Sequence, residues 1–245
     1  MTPEEKQQLD DLNRRVSAIE GSSGEQVIGY VPSGSNYKLT STGSRDPGHV
    51  HIFPERTNIT YTTYFESFDG WSTVGTPVAY LGGALFQTTT TINTEVDALN
   101  EQTISDIDWA KNSGFQTVLR TSATTDQTIY FGLGDLIVGD GTQEGYGFKI
   151  TNGTLYALAT QSDGASASET TVNITGSITL TSVNSYRAVK NGSAITYYVN
   201  DVGVTTITTG LPNGTSPTIL CFYIKNTAAA NKALYVASAT ANRQL

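Results

Sequence analysis

Apolar and polar residues keep three different rhythms along this chain. Over residues 1–20 the apolar positions are Leu9, Leu12, Val16 and Ile19, the 3-4-3 spacing of a coiled-coil seam. The flanking signals agree: Thr2 can cap, Pro3 suits the first helical position, Glu5 completes a T-x-x-E capping box, and Gly21 marks the stop. Asp10–Arg14 and Asp11–Arg15 form i,i+4 pairs on the solvated side. A lone helix of this length is marginal in water, so it packs on its own domain or on other copies. The flexible GSSG that follows favours self-association, with the four apolar residues as the seam. Two heptads do not fix the number of strands, because Val16 at an a position and Ile19 at a d position pull in different directions.

Residues 21–63 have no such rhythm. They are rich in Gly, Ser, Thr and Pro, with short extended pieces such as NYKLTST and TNITYTTYF. Pieces this short cannot build a core, so the segment reads as a neck whose strands pair between chains or against the next domain. From residue 64 to 245 the pattern becomes short β-branched and aromatic runs, broken by turn signals roughly every 8 to 12 residues, which predicts an antiparallel all-β sandwich or barrel. Asn152-Gly153 predicts one hairpin, Asn191-Gly192 a second, and Asn200-Asp201 a further turn. TILCFYIKN and KALYVASAT read as closing strands, and INTEVDALN is the one stretch with a hint of helix.

Charge narrows the partners. Fourteen Lys+Arg against 22 Asp+Glu give a net charge of −8, which disfavours nucleic acid or an anionic membrane as the main partner. The single cysteine, Cys221, lies in an apolar run and cannot form an intrachain disulfide. No apolar leader and no membrane-length apolar run is present, so the expectation is a chain assembled in the cytoplasm without a signal peptide.

The sharpest chemical feature is RDPGHVHIFPE, which holds both histidines, His49 and His51. Positions i and i+2 of a strand share a side, so both imidazoles can reach one point. Two ligands satisfy no metal alone, but threefold symmetry would converge six on an axis, an octahedral nitrogen site suited to iron or another first-row divalent ion. Two surface or interface histidines that share a strand are the alternative. Asp135, Asp140 and Glu144 in GLGDLIVGDGTQEGYGF are candidate calcium ligands, or simply turn residues. Trp71, Tyr146 and Tyr198 are candidate sugar-stacking aromatics. Adjacent strand residues face opposite ways, so only one of Tyr197 and Tyr198 can point inward.

Two stretches carry a resemblance. FESFDGWSTVGT is similar to the F-x-x-F-D-x-W phrase that opens concanavalin A-like, laminin G-like jelly rolls, and SYRAVKNGSAITYYVNDVGVTTITTGLP resembles their strand, turn, strand and Leu-Pro exit. The resemblance implies that 64–245 is such a jelly roll, with KALYVASAT returning to pair near the first strand. The glucanases of that class carry an E-x-D-x-E cluster. Asp106 and Asp108 in SDIDWAK have no glutamate at the required positions, so no enzymatic activity is expected. GHVH matches the H-x-H metal sites of trimeric bacteriophage tail fibres and spikes. Together the coiled coil (1–20), neck (21–63) and jelly roll resemble a homotrimeric fibre of a tailed bacteriophage, on head or tail. That resemblance implies a structural, adhesive protein of the virion surface, bound to other virion proteins by its N-terminus and to a bacterial surface glycan or protein by its tip. A capsid decoration protein without sugar binding and a polysaccharide-degrading glycoside hydrolase are the alternatives.

Overall fold

The computed structural model describes strand residues 38–39 and 49–52, and residues 58–244 apart from 66, 81, 102–106, 138–142, 163–165, 177 and 217. Leu9, Leu12, Val16 and Ile19 lie outside the described residues, as does the predicted coiled coil as a whole. Nineteen strands are described: β1 (Lys38–Leu39), β2 (His49–Ile52), β3 (Asn58–Thr63), β4 (Trp71–Val74), β5 (Val78–Tyr80), β6 (Gly83–Gln87), β7 (Glu95–Glu101), β8 (Ile107–Asp108), β9 (Ser113–Thr121), β10 (Gln127–Gly134), β11 (Gly145–Thr151), β12 (Thr154–Ser162), β13 (Ala167–Asn173), β14 (Asn184–Asn191), β15 (Ala194–Val199), β16 (Val202–Ile207), β17 (Thr215–Ser216), β18 (Thr218–Asn226) and β19 (Ala233–Gln244).

These strands make two large antiparallel sheets packed face to face. A ten-stranded sheet runs β1-β2-β3-β19-β9-β14-β15-β16, with β6 also on β19 and β5 on β6; a seven-stranded sheet runs β13-β12-β11-β10-β18-β7-β4. β8 and β17 form a separate pair. Alternation drives the layering: β14 and β15 bury every second residue, so Tyr186, Ala188, Ile195 and Tyr197 face inward while Arg187 and Tyr198 face out. Between the sheets lies a continuous train of rings. Phe86 stacks on Phe222 (centroids 5.8 Å apart), Phe222 leads to Phe115 and Phe131, and Phe131 stacks on Phe148 at 5.2 Å. Tyr197 meets Phe148 edge-on and donates its hydroxyl to the Leu158 carbonyl, so the one polar tip at that point is satisfied.

The opening phrase of the jelly roll has a physical role. Phe65, Phe68 and Trp71 form a triangle of rings with centroids 5.7–5.9 Å apart, and the Trp71 amide donates to the Phe68 carbonyl. The corner is tight enough to hold Phe65 at φ 55°, where its amide donates to Thr63 Oγ1.

Turn chemistry places the hairpins. Asn152 and Gly153 both have positive φ and connect β11 to β12 as a two-residue loop, and Asn200-Asp201 does the same for β15 and β16. The turn expected at Asn191-Gly192 sits one residue later: Asn191 pairs with Ala194, so Gly192-Ser193 is the loop, with only Gly192 at positive φ. Glycine at the first central position is what a type II′ turn requires. INTEVDALN contains no helix. It is mostly β7, with Val96, Ala98 and Asn100 buried, the alternation of a strand.

The segment read as a neck contributes directly to the sandwich. β3 pairs with β19 along its whole length, and Tyr61 and Thr63 are buried in the core. β2 continues the sheet on β3, placing His49 opposite Thr62 and His51 opposite Thr60, while Leu39 of β1 lies opposite His51.

Candidate functional site

The outer face of the seven-stranded sheet carries a row of register partners from one edge to the other: Val74, Asp97, Tyr223, Tyr130, Lys149, Tyr156 and Asn173. At its centre Tyr223, Tyr130 and Lys149 form a connected network with Glu95 and Glu169. The rings of Tyr130 and Tyr223 lie 5.8 Å apart, and the Lys149 ammonium sits 5.1 Å from the Tyr130 centroid while pairing with Glu169 at 2.6 Å. The Tyr130 hydroxyl donates to the other oxygen of Glu169 at 3.0 Å, and the Tyr223 hydroxyl donates to Glu95 at 3.2 Å. Burial works against the charge on Lys149, but the bonds to Glu169 and Tyr130 outweigh it and hold the ammonium above its ordinary range. Tyr130 and Tyr223 are nearly covered, at 7% exposure each, whereas Tyr156 keeps part of its ring open.

At the next rows along the face, β10 and β11 both carry glycine. Gly132 faces Gly147 and Gly134 faces Gly145, and Leu136 lies directly on this platform. A Cβ on Gly132 or Gly145 would come within 2.8 or 2.9 Å of the Leu136 methyls. The bare backbone therefore lets the segment after β10 fold down onto the sheet. It is held there by the Asp135 amide donating to the Glu144 carbonyl and by Ile137 donating to the Asp135 carboxylate. Cys221 lies beneath this cover, fully buried, and burial pushes its thiol up. Asp97, at 7% exposure, accepts the Val74 amide at 2.9 Å; burial, with Glu95 and Asp135 nearby, raises its carboxyl to about 6.

The sequence-predicted residues scatter through this architecture. Trp71 and Tyr146 are core residues rather than stacking surfaces: Trp71 closes the aromatic corner, and Tyr146 is fully buried against Trp109 with its hydroxyl on Ser113. Neither presents a face to a ligand. Tyr198 is partly exposed, but on the other sheet, under Arg187. Of the loop acids, Asp140 lies outside the described residues; Glu144 is almost buried, which raises its carboxyl, and it accepts the backbone amides of Ser162 and Asn213. Asp106 is also outside the described residues, while Asp108 caps its own turn through the Ala110 amide and pairs with Lys111 at 3.8 Å. Among the described residues no three His, Cys, Asp or Glu side chains converge as a metal group.

Two acids that share a sheet face lie in the stretch with the hint of helix. E-V-D at Glu95, Val96 and Asp97 puts two carboxylates on the outer face of β7. The same strand holds Leu99 where an E-x-D-x-E pattern would have its second glutamate.

No family model matches the sequence, and no curated relative does either. Solved structures do match by shape. A β-glucanase of Bacillus licheniformis matches with a TM-score of 0.55 at 12% identity, over 74% of this chain and 96% of that one. The carbohydrate recognition domain of Emp46p, in a potassium-bound form, gives 0.51 at 12%, over 72% and 90%. The binding domain of botulinum neurotoxin DC, solved with rat synaptotagmin II, gives 0.51 at 12% over 70% of this chain, which spans 42% of that longer one. The fold is thus the concanavalin A-like jelly roll shared by lectin-like and glycosidase-like domains.

Proposed function

We propose that this chain is an adhesive, glycan-binding subunit and that the glycan seats on the outer face of the seven-stranded sheet around Tyr156. One observation carries the reading. Tyr156 is the aromatic of the register row that keeps its ring partly open, and in that row it stands between Lys149, which is locked to Glu169, and Asn173. A pyranose needs that combination: an apolar face to cover and rigid polar groups beside it. The test is calorimetric titration with a panel of neutral oligosaccharides. Tyr156→Ala should abolish binding while leaving the melting temperature unchanged; retained affinity would sink the proposal.

A hydrolytic reading has one observation in its favour, the outward pair Glu95 and Asp97, and Asp97 is raised toward the range of a general acid. Against it stand Leu99 in the third acid position and the engagement of Glu95 by Tyr223 and Lys225. Binding without cleavage is therefore proposed. Release of reducing sugar from β-glucan that disappears in Glu95→Gln would reverse the choice.

The assembly completes the proposal: a homotrimeric fibre of a tailed bacteriophage, joined by Leu9, Leu12, Val16 and Ile19, with His49 and His51 of three copies holding a first-row metal. It rests on the heptad spacing and the H-x-H strand. Native mass spectrometry of the wild type beside His49→Ala/His51→Ala tests it. A trimer with one metal ion, lost in the variant, is expected; a metal-free monomer would refute it.

A further inference from the structure

The two sheets divide the chain's charges unequally. None of the ten strands of the larger sheet contains an Asp or Glu, although the protein has 22 such residues; these strands carry Lys38, Arg120, Arg187, Lys190, Arg243 and both histidines. Lys190 is turned inward, where its ammonium donates to the Gly192 carbonyl. Arg120 and Arg187 are on the outer face, partly exposed, and each lies flat on a tyrosine. The Arg187 guanidinium is 3.8 Å from the Tyr198 ring centroid, and that of Arg120 is 4.0 Å from the Tyr235 centroid. Among the described residues neither has an ion-pair partner.

Stacking fixes a guanidinium in its plane and leaves its edge donors pointing away from the ring, which suits bidentate contact with a carboxylate. The register sets the spacing between the two. Arg187 lies opposite Gln116, and Arg120 is four residues along the same strand as Gln116, so the two cations stand about 14 Å apart on one face. Thr62, Thr240, Gln116 and Thr196 line the same face, offering neutral hydrogen-bonding groups and no opposing charge.

We infer that the outer face of the ten-stranded sheet is a second binding surface, specific for an acidic polysaccharide whose carboxylates engage Arg120 and Arg187. Charge complementarity argues for this occupant. A chain of net charge −8 repels a polyanion overall, so attraction can arise only where acids are absent and cations are held in place. Each tyrosine keeps its arginine pre-organised, so little side-chain entropy is lost on binding. The surface lies on the opposite side of the sandwich from Tyr156 and does not depend on the neutral-glycan reading.

The experiment uses the whole chain with polygalacturonate as the acidic probe and dextran as the neutral one, at low and high salt. The wild type should bind polygalacturonate and not dextran at this face, with affinity falling as salt rises. Arg120→Gln/Arg187→Gln should weaken binding about tenfold for each arginine removed, the usual worth of a hydrogen bond to a charged group. Arg187→Lys, which keeps the charge but loses the planar fork, should also weaken it. Tyr156→Ala should bind polygalacturonate normally, which separates this surface from the first. Equal binding by the double variant, with an unchanged melting transition, would overturn the inference. So would failure of the wild type to bind polygalacturonate, or salt-sensitive self-association lost in the double variant, which would assign the face to the acidic sheet of a second copy.

Discussion

Replacing Asp97 with Asn removes a charge while keeping the shape and the oxygen that accepts the Val74 amide. Burial raises this carboxyl from 3.8 to about 6. At 1.36 kcal/mol per unit the full titration is worth about 3 kcal/mol. The folded state binds the proton more tightly than the unfolded chain does. The stabilisation is therefore complete below 3.8 and is lost as pH rises through about 6. Between pH 4.5 and pH 7 the wild type should lose about 2 kcal/mol relative to Asp97→Asn. Other carboxylates titrate in the same window, but they cancel in the difference between the two proteins. Urea unfolding followed by tryptophan fluorescence suits the assay, because Trp71 and Trp109 are both buried. With a denaturant slope of about 2–3 kcal/mol/M, the gap between the two midpoints should change by about 0.7–1 M from pH 4.5 to pH 7. Parallel pH profiles for the two proteins would refute the reasoning and place the Asp97 carboxylate in contact with water.

Two further substitutions probe the core and the platform. Phe131→Ala removes the ring between Phe115, Phe148 and Tyr186 and should cost about 3–5 kcal/mol by urea unfolding; a loss under 1 kcal/mol would mean that the ring train is not close-packed. Gly132→Ala places a Cβ against the Tyr146 carbonyl, 2.7 Å from the Gly147 Cα and 2.8 Å from Leu136, so it should loosen both the β10–β11 pairing and the covering segment and speed hydrogen exchange at the Ile137 amide at least about tenfold, with unchanged exchange as the refuting result.

What could be read from the sequence followed from local physics. The Asn152-Gly153 turn, strand β18 and the inward-outward split of Tyr197 and Tyr198 each depend on residues within a few positions of one another, and each stands as expected. β7 was obscured because Glu, Ala, Leu and Asn are no stronger as strand formers than as helix formers; only its pairing with β18 and β4 decides the matter. The misplaced stacking aromatics have a related cause. Trp71 and Tyr146 look amphipathic in sequence, and nothing local reveals that Phe65 and Trp109 cover them. Tyr156 carries no distinguishing signal, since its candidacy rests on Lys149 on the neighbouring strand and on the Glu169 that locks it. The charge division between the sheets could have been found by sorting acids by strand, but only after the strand order was known.

The position of β19 bears on how the protein comes to be made. Ala233–Gln244 lies in the interior of the ten-stranded sheet, between β3 and β6 on one side and β9 on the other, and pairs with residues as far back as Asn58, the partner of Gln244. During translation β9 and β3 therefore wait with open hydrogen-bonding edges until the ribosome has delivered the strand that joins them. Such long-range pairing is slow and leaves the nascent chain prone to aggregation. Shortening the chain before Ala233 would not fray a margin; it would remove the seam that unites the sheet.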